Sequence, residues 1–381
     1  MPMAGRSVVS PHNQKVTWVE LFFDLVFVFA VTQVVDILEN RFGWVAVIRA
    51  LLVFWLIWWA WTQFTWALNA ADTTHPHVEL ATLIATAIAF FMAVAVPLAF
   101  EVQPLAFALP YVLVRGVGLY IYSWVACENP SQRGAVRKFT LVSISGLLAV
   151  LAGSFFSEGA QYLLWGTAIL LDLLAAAVGG RQEGWNLHAE HFAERHGLFV
   201  IIALGESLIV AASRLSGMEL SPDRLAAAVL SVAVTCGLWW IYFTRTKPEL
   251  DRTLESRTGV EQSTMARDVF SLLHFPMLCG IIAYAFSIEE AMLHPAEPLH
   301  IPVRGALAAG IVLFAGGMVP AMWRANGIIL WSRALIVVVL AVIVLVIHAA
   351  PAIALSIVFV ATVAIALLEA RLAQLKSSQS R

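Results

Sequence analysis

The 35 residues from Ala334 to Leu368 contain no Asp, Glu, Lys or Arg. Pro351 divides them into two apolar runs, because the residue before a proline is pushed out of helical geometry. Each run is long enough to cross a bilayer, and only lipid or a membrane bundle accepts two such runs in succession. Backbone groups in oil must be paired within their own segment, so each run has to be a helix. The pattern recurs along the chain. Twelve apolar runs can be marked between Pro, Gly and charged clusters: Val16–Leu38, Trp44–Leu68, Val78–Phe100, Leu105–Ala126, Val136–Phe156, Ala160–Val178, Phe192–Leu215, Leu225–Thr244, Ala266–Phe286, Val303–Met322, Ile328–His348 and Ala352–Ala370. Composition agrees, with 60% hydrophobic and 13% charged residues, against roughly 45–50% and 25% in soluble domains. The expected fold class is an all-α, polytopic helical membrane protein with no soluble domain.

An even number of spans puts both termini on one side. Seventeen of the 23 Lys and Arg residues then fall on the N-terminal side, and only Arg41, Arg214 and Arg224 on the other. Arg49, Arg115 and Arg304 lie within or at the edge of spans. Basic residues collect on the cytoplasmic side, so both termini are expected there. The first run carries Glu20 and Asp24 and has no small-residue cleavage site after a clean apolar core, so it is expected to stay as an anchor. Arg245 to Arg267 reads as the longest and most charged cytoplasmic loop. Six runs per half give two halves, residues 1–185 and 186–381. Trp58-Trp59-Ala60-Trp61 in the second run echoes Trp239-Trp240-Ile241-Tyr242 in the eighth, and Val114-Arg115-Gly116 echoes Val303-Arg304-Gly305. Halves of six spans share one orientation, as in parallel-repeat transporters.

Polar groups inside these runs are where chemistry is to be sought, because an ionisable side chain in the bilayer is costly and its retention calls for a reason. His188, His191, Arg195 and Glu206 fall within about a 60° arc of one helix face. With a helix starting near Phe192, Glu206 lies about 20 Å in, close to mid-membrane. In the first run Glu20 and Asp24 are four apart and share a face, where like charges repel. Either one carboxyl holds a proton or an arginine lies between them. The pair reads as a proton or cation site in the cytoplasmic third, or as an interfacial pair satisfied by Arg195 or a helix N-terminus.

Two strings carry a resemblance. Val19-Glu20-Leu21-Phe22-Phe23-Asp24-Leu25-Val26-Phe27-Val28-Phe29-Ala30 and Glu194-Arg195-His196-Gly197-Leu198-Phe199-Val200-Ile201-Ile202-Ala203-Leu204-Gly205-Glu206-Ser207 resemble the bacterial low temperature requirement A family. The resemblance covers essentially the whole chain in the order and spacing of its spans. It implies a polytopic membrane protein without an established reaction, and it implies that Glu20, Asp24, Arg195, Gly205, Glu206 and Ser207 are key positions.

Other intramembrane groups extend the list. Arg115 is central in the fourth run and Asp172 in the sixth, so Arg115 with Asp172 or Glu206 is the expected buried pairing. His274, beside Pro276, reads as a hydrogen-bonded helix residue or a proton relay. His188 and His191 are spaced for shared metal ligation, but Arg195 adds repelling charge and no His-Glu-x-x-His order is present, so no metal is assigned. Trp55, Trp58, Trp59, Trp61 and Trp66 read as packing or interfacial residues before a cofactor or stacking site. Gly179-Gly180 does not open a phosphate loop. Cys127, Cys236 and Cys279 are too scattered for a disulfide framework. A net charge of −2 gives no basic footprint for nucleic acid.

The reading favoured is an ion- or proton-coupled secondary transporter of a small solute in the bacterial inner membrane. Glu20, Asp24, Arg115, Asp172, His191, Arg195, Glu206, Ser207 and His274 would line its pathway, with the first and seventh runs facing each other. A cation channel is the alternative, because Phe22-Phe23-Asp24 is similar to the Phe-Ser-Asp of organellar potassium channels, with Phe23 in place of Ser. A membrane-embedded enzyme or sensor at the His188–His196 cluster is a third reading. No cofactor is expected. Lipid and an unidentified solute or ion are the expected partners, and the oligomeric state is left open.

Overall fold

Twelve helices follow one another in a computed structural model that describes residues 7–11, 14–40, 43–101, 103–179, 185, 187–216 and 219–379. They are α1 Trp18–Asn40, α2 Trp44–Ala70, α3 Pro76–Val94, α4 Pro104–Glu128, α5 Arg133–Gly153, α6 Glu158–Gly179, α7 Ala189–Leu215, α8 Pro222–Glu255, α9 Gly259–Leu293, α10 Ile301–Asn326, α11 Trp331–Val346 and α12 Pro351–Gln379. Among the described residues no strand is present, and one isolated antiparallel bridge joins Val9 to Ala71. Eleven of the helices are long and apolar enough to span a membrane; α11 is apolar but has 16 residues. Arg6, Arg41, Arg181 and Arg381, used above to orient the chain, and Gly180 lie outside the described residues.

Side-chain burial is the reverse of that in a soluble domain. Leu163, Leu170, Phe91, Val346 and Val360 are more than half exposed, whereas Glu20, Asp24, Arg115, Arg195 and Arg333 are almost fully enclosed. An apolar exterior over a charged interior is what a lipid solvent selects, since outward-facing hydrocarbon costs nothing there.

Helix ends follow local chemistry. Thr17 precedes α1, and its N–H and hydroxyl both donate to Glu20 Oε2, at 2.9 and 3.0 Å. This is the return half of a capping box, a Thr-x-x-Glu signal at the helix start. Ser221 caps α8 by accepting from Arg224 N–H, with Pro222 at the first helical position; proline is pre-organised there. Helix α3 ends at Val94, short of the expected Phe100, because Pro97 follows in a 3₁₀ turn over Val96–Leu98. Gly327, with φ 74°, ends α10 in the left-handed conformation that glycine adopts freely.

The stretch Arg245 to Arg267 differs from the loop expected of it. Helix α8 runs on through Glu255, and α9 starts at Gly259. Each of α8, α9 and α10 contains a π-helical segment, at Tyr242–Thr246, Ala266–Leu273 and Val312–Gly316. Such widened turns add a residue without breaking the helix and often mark functional positions.

The described chain divides into two compact units, one of residues 1–199 and 254–271, the other of 200–253 and 272–381. In the first, α5 packs on α6, α1 on α2 and α3, and α4 on α2, α3 and α5. In the second, α8 packs on α12, the C-terminal part of α9 on α10, and α11 on α10 and α12.

Candidate functional site

Helices α1, α2 and α7 bring one cluster of ionisable side chains together within the first unit. Glu20 and Asp24 project from successive turns of α1 and are 0% exposed. From α7, Arg195 reaches both, through Nη1 to Glu20 Oε1 at 3.4 Å and through Nη2 to Asp24 Oδ1. His191, one turn earlier, places Nε2 3.0 Å from Glu20 Oε1. From α2, Trp61 donates its indole N–H to Asp24 Oδ1 at 2.7 Å, and the Arg195 guanidinium lies 5.6 Å from the Trp61 ring centre. An arginine therefore lies between the two carboxyls, and a histidine adjoins the first.

Asn69 orients the imidazole of His191. Its Oδ1 accepts from the His188 backbone N–H at 3.0 Å, and its Nδ2 donates to the His188 carbonyl at 2.9 Å. With the amide orientation fixed this way, Nδ2 is the group facing His191 Nδ1, at 3.1 Å. A donor there requires Nδ1 to accept, so the ring proton sits on Nε2 and is given to Glu20. Two carboxyls thus share one guanidinium; with His191 unprotonated they carry one negative charge in excess. Asp24 Oδ2 and Arg195 Nε have no hydrogen-bond partner among the described residues.

A second cluster in the same unit is balanced. Arg115 Nη2 meets Asp172 Oδ1 at 3.1 Å, Nη1 donates to Tyr111 Oη at 2.7 Å and Nε donates to Gln63 Oε1. Gln63 returns a bond from Nε2 to the Arg115 carbonyl at 3.3 Å. Of the two partners expected for Arg115, the structure places Asp172 there. Arg49 and Arg304, named with Arg115 as lying within or at the edge of spans, are also engaged: Arg49 with Glu158 at 2.5 Å, and Arg304 with the Ile347 carbonyl at the end of α11 at 3.0 Å.

The remaining expected positions lie in the second unit. Glu206 is 2% exposed and sits about three turns beyond Arg195 along α7. Ser207 joins a run of hydroxyls: its Oγ is 3.1 Å from Thr235 Oγ1, and Tyr284 donates to the Ser231 carbonyl at 2.9 Å. His274 directly follows the π-helical segment of α9, and its Nε2 lies 2.7 Å from Tyr242 Oη. His191 turns to Glu20 and Asn69 and His196 Nδ1 to the Phe192 carbonyl at 2.9 Å, and no metal-holding group of three His, Cys, Asp or Glu residues occurs among the described residues.

Several participants are absent from the expected list. Asn69, Gln63 and Tyr111 are neutral residues in apolar helices and carry no charge signal. Arg333 and Glu369 form a third buried pair in the second unit, with Nε–Oε1 and Nη2–Oε2 both 2.7 Å. Arg333 Nη1 also donates to Thr246 Oγ1 at 3.0 Å, beside the π-helical segment of α8. The two residues flank the charge-free stretch Ala334–Leu368, one on each side, and that symmetry was the available signal.

Comparison with known proteins agrees with this architecture. An uncharacterized protein of Rhizobium meliloti (strain 1021) is 28% identical over 326 residues, covering 81% of this chain and 76% of that one. No solved structure matches the chain. Residues 15–368 match the family described as bacterial low temperature requirement A protein, a range that contains the α1 and α7 cluster and nearly all of the twelve helices. The chain belongs to the bacterial low temperature requirement A family.

Proposed function

We propose that this protein is an ion- or proton-coupled secondary transporter of a small solute, in the bacterial cytoplasmic membrane with both termini cytoplasmic. The coupling charge is carried at Glu20, Asp24, His191 and Arg195. The observation that supports this most is the make-up of that cluster: two fully buried carboxyls share one guanidinium, which leaves one negative charge in excess whenever the neighbouring imidazole is unprotonated. A buried excess charge is costly. A proton on Asp24 Oδ2, or one bound monovalent cation, removes the excess. A site that is neutral only when occupied responds to proton or cation activity on the side it faces. Arg115 with Asp172 provides counter-charge that is already compensated. Glu206, Ser207 and His274 are kept as candidate pathway residues of the second unit. The concentration of Lys and Arg on one set of connections supports the orientation.

The test uses purified full-length protein in liposomes with an entrapped pH dye and an imposed gradient, screened with small solutes. At least one solute should move protons or a monovalent cation with it, and Asp24→Asn should abolish coupled movement while eluting as a monodisperse, folded species. Solute movement independent of ions and equal in Asp24→Asn would overturn the reading, as would unitary currents in a planar bilayer.

A further inference from the structure

The first unit contains a partly open cavity of about 40 Å³ beside the Arg115 cluster. A buried water needs about 10–15 Å³ of such space, so the cavity takes about three waters and nothing as large as an aromatic ring. Its lining bears one charged side chain, Arg267. That guanidinium is already paired, with Nε and Nη2 at 2.8 and 2.6 Å from Asp268 Oδ1. An occupant therefore meets no unbalanced charge, and the space suits a small neutral molecule that both gives and accepts hydrogen bonds.

Three side chains in the lining have hydrogen-bonding capacity left. Thr62 is 2% exposed, and its hydroxyl has no hydrogen-bond partner among the described residues. A buried hydroxyl so placed is unfavourable unless something fills its valence. Ser271 Oγ accepts from the Trp66 indole N–H at 3.0 Å, which leaves its own proton to donate. Gln63 gives one amide proton to the Arg115 carbonyl at 3.3 Å, and its second amide proton remains. A purely apolar cavity stays dry, whereas water enters one that offers about two to four polar partners.

We propose that this cavity is an internal hydration site, holding about three ordered waters that bond Thr62 Oγ1 and Ser271 Oγ and reach Gln63. Gln63 in turn accepts from Arg115, whose Nη2 meets Asp172. The waters thus lie one side chain away from a buried ion pair, and water at that range lessens the desolvation such a pair otherwise bears. As a hydration site it stands on the cavity and its polar lining alone. As aqueous access for a coupled solute or ion it rests on the transporter reading above.

X-ray hydroxyl-radical labelling of the full chain in lipid nanodiscs is the test, because radicals formed from bound water oxidise the side chains beside that water. Trp59 lines the cavity and is 3% exposed. Trp165 is 0% exposed and lies outside the lining, with its indole N–H on the Val150 carbonyl. Bulk solvent reaches neither, so Trp59 should be oxidised severalfold faster than Trp165. Ala176→Leu, which fills the space, should bring Trp59 down to the Trp165 rate. Thr62→Val, which keeps the shape and removes the hydroxyl, should also slow it. Gly179→Ala is the mildest variant: its Cβ would meet Phe139 and Trp185 at 3.5 Å, an ordinary contact, so the fold survives while the space shrinks and the Trp59 rate falls partway. Equal rates at Trp59 and Trp165 in the wild type, or a Trp59 rate that none of the folded variants lowers, would overturn the assignment. Fast Trp59 oxidation without solute-coupled ion movement ends the transporter reading and leaves the hydration site. Coupled movement with equal rates at the two tryptophans ends the site and leaves that reading.

Discussion

His191 gives its Nε2 proton to Glu20 across 3.0 Å, joining the first and seventh helices in the membrane interior. The contact satisfies a carboxylate that has left water, and it holds the imidazole between one acceptor and one donor. His191→Leu takes one contact from Glu20, which keeps Thr17 and Arg195, and one from Asn69, which keeps the His188 backbone. Hydrogen bonds of this kind contribute about 0.5–1.5 kcal/mol each. His191→Gln keeps an amide able to donate and accept, so its loss should be smaller. Thermal unfolding of the purified variants compares them, and equal losses would show that the polar contacts contribute nothing beyond volume.

Arg195 is shared by two carboxyls, so its removal is expected to be more damaging than that of either acid. Arg195→Met leaves Glu20 and Asp24 four residues apart with no cation, and breaking a buried pair costs about 3–5 kcal/mol. Adding Glu20→Gln and Asp24→Asn to Arg195→Met should recover most of that loss. The measurement is apparent stability by denaturant titration in detergent. Additive losses in the triple variant would contradict the assigned contacts.

Arg333 and Glu369 form a bidentate pair that is balanced within itself. A structural pair of this kind can be exchanged for apolar residues of similar size at little cost, whereas each single change strands a charge. Arg333→Met and Glu369→Leu should each lower stability by about 3–5 kcal/mol, and the double variant should lie within about 1 kcal/mol of wild type. A double variant as unstable as the singles would point to a wider role through Thr246 and Met318, both of which Arg333 contacts.

Helices α9 and α10 approach closely at Gly280 and Gly310. A Cβ at Gly280 would lie 2.6 Å from Phe314 N and 2.8 Å from the Gly310 carbonyl, both backbone atoms that cannot step aside. Small residues let membrane helices meet at this range. Gly280→Ala should therefore lose folded yield and thermal stability by the 1–3 kcal/mol typical of overpacking, about as much as inserted methylenes cost elsewhere. Gly305 meets nothing within 4 Å, and Gly305→Ala should be neutral or gain about 0.5–1 kcal/mol from helix propensity. Equal effects at both positions would refute the close crossing.

The helical architecture was legible in the sequence because the bilayer imposes one rule on every residue. An apolar run of about 20 residues must be helical wherever it occurs, and each of the twelve runs marked from sequence corresponds to a helix. Boundaries were less legible. Pro97 ended α3 early, and the charged stretch that opens at Arg245 continued as helix through Glu255, across a π-helical segment. Ionisable residues within apolar runs stood out singly, so Glu20, Asp24, Arg115, Asp172 and Arg195 could be named.

Sequence alone fixed the solvent of this chain, the type of its elements and the list of charges that would need partners. Those properties follow from local hydropathy and need no knowledge of neighbours. Tertiary structure decided which charge meets which: that Arg195 spans both α1 carboxyls, that Arg115 takes Asp172, and that Arg333 and Glu369 close on each other. It also decided the part played by Asn69, a neutral side chain whose orientation, fixed by the backbone at His188, sets its amide nitrogen against His191 Nδ1. Pairing depends on geometry between segments far apart in the chain, and a single sequence holds no record of those distances.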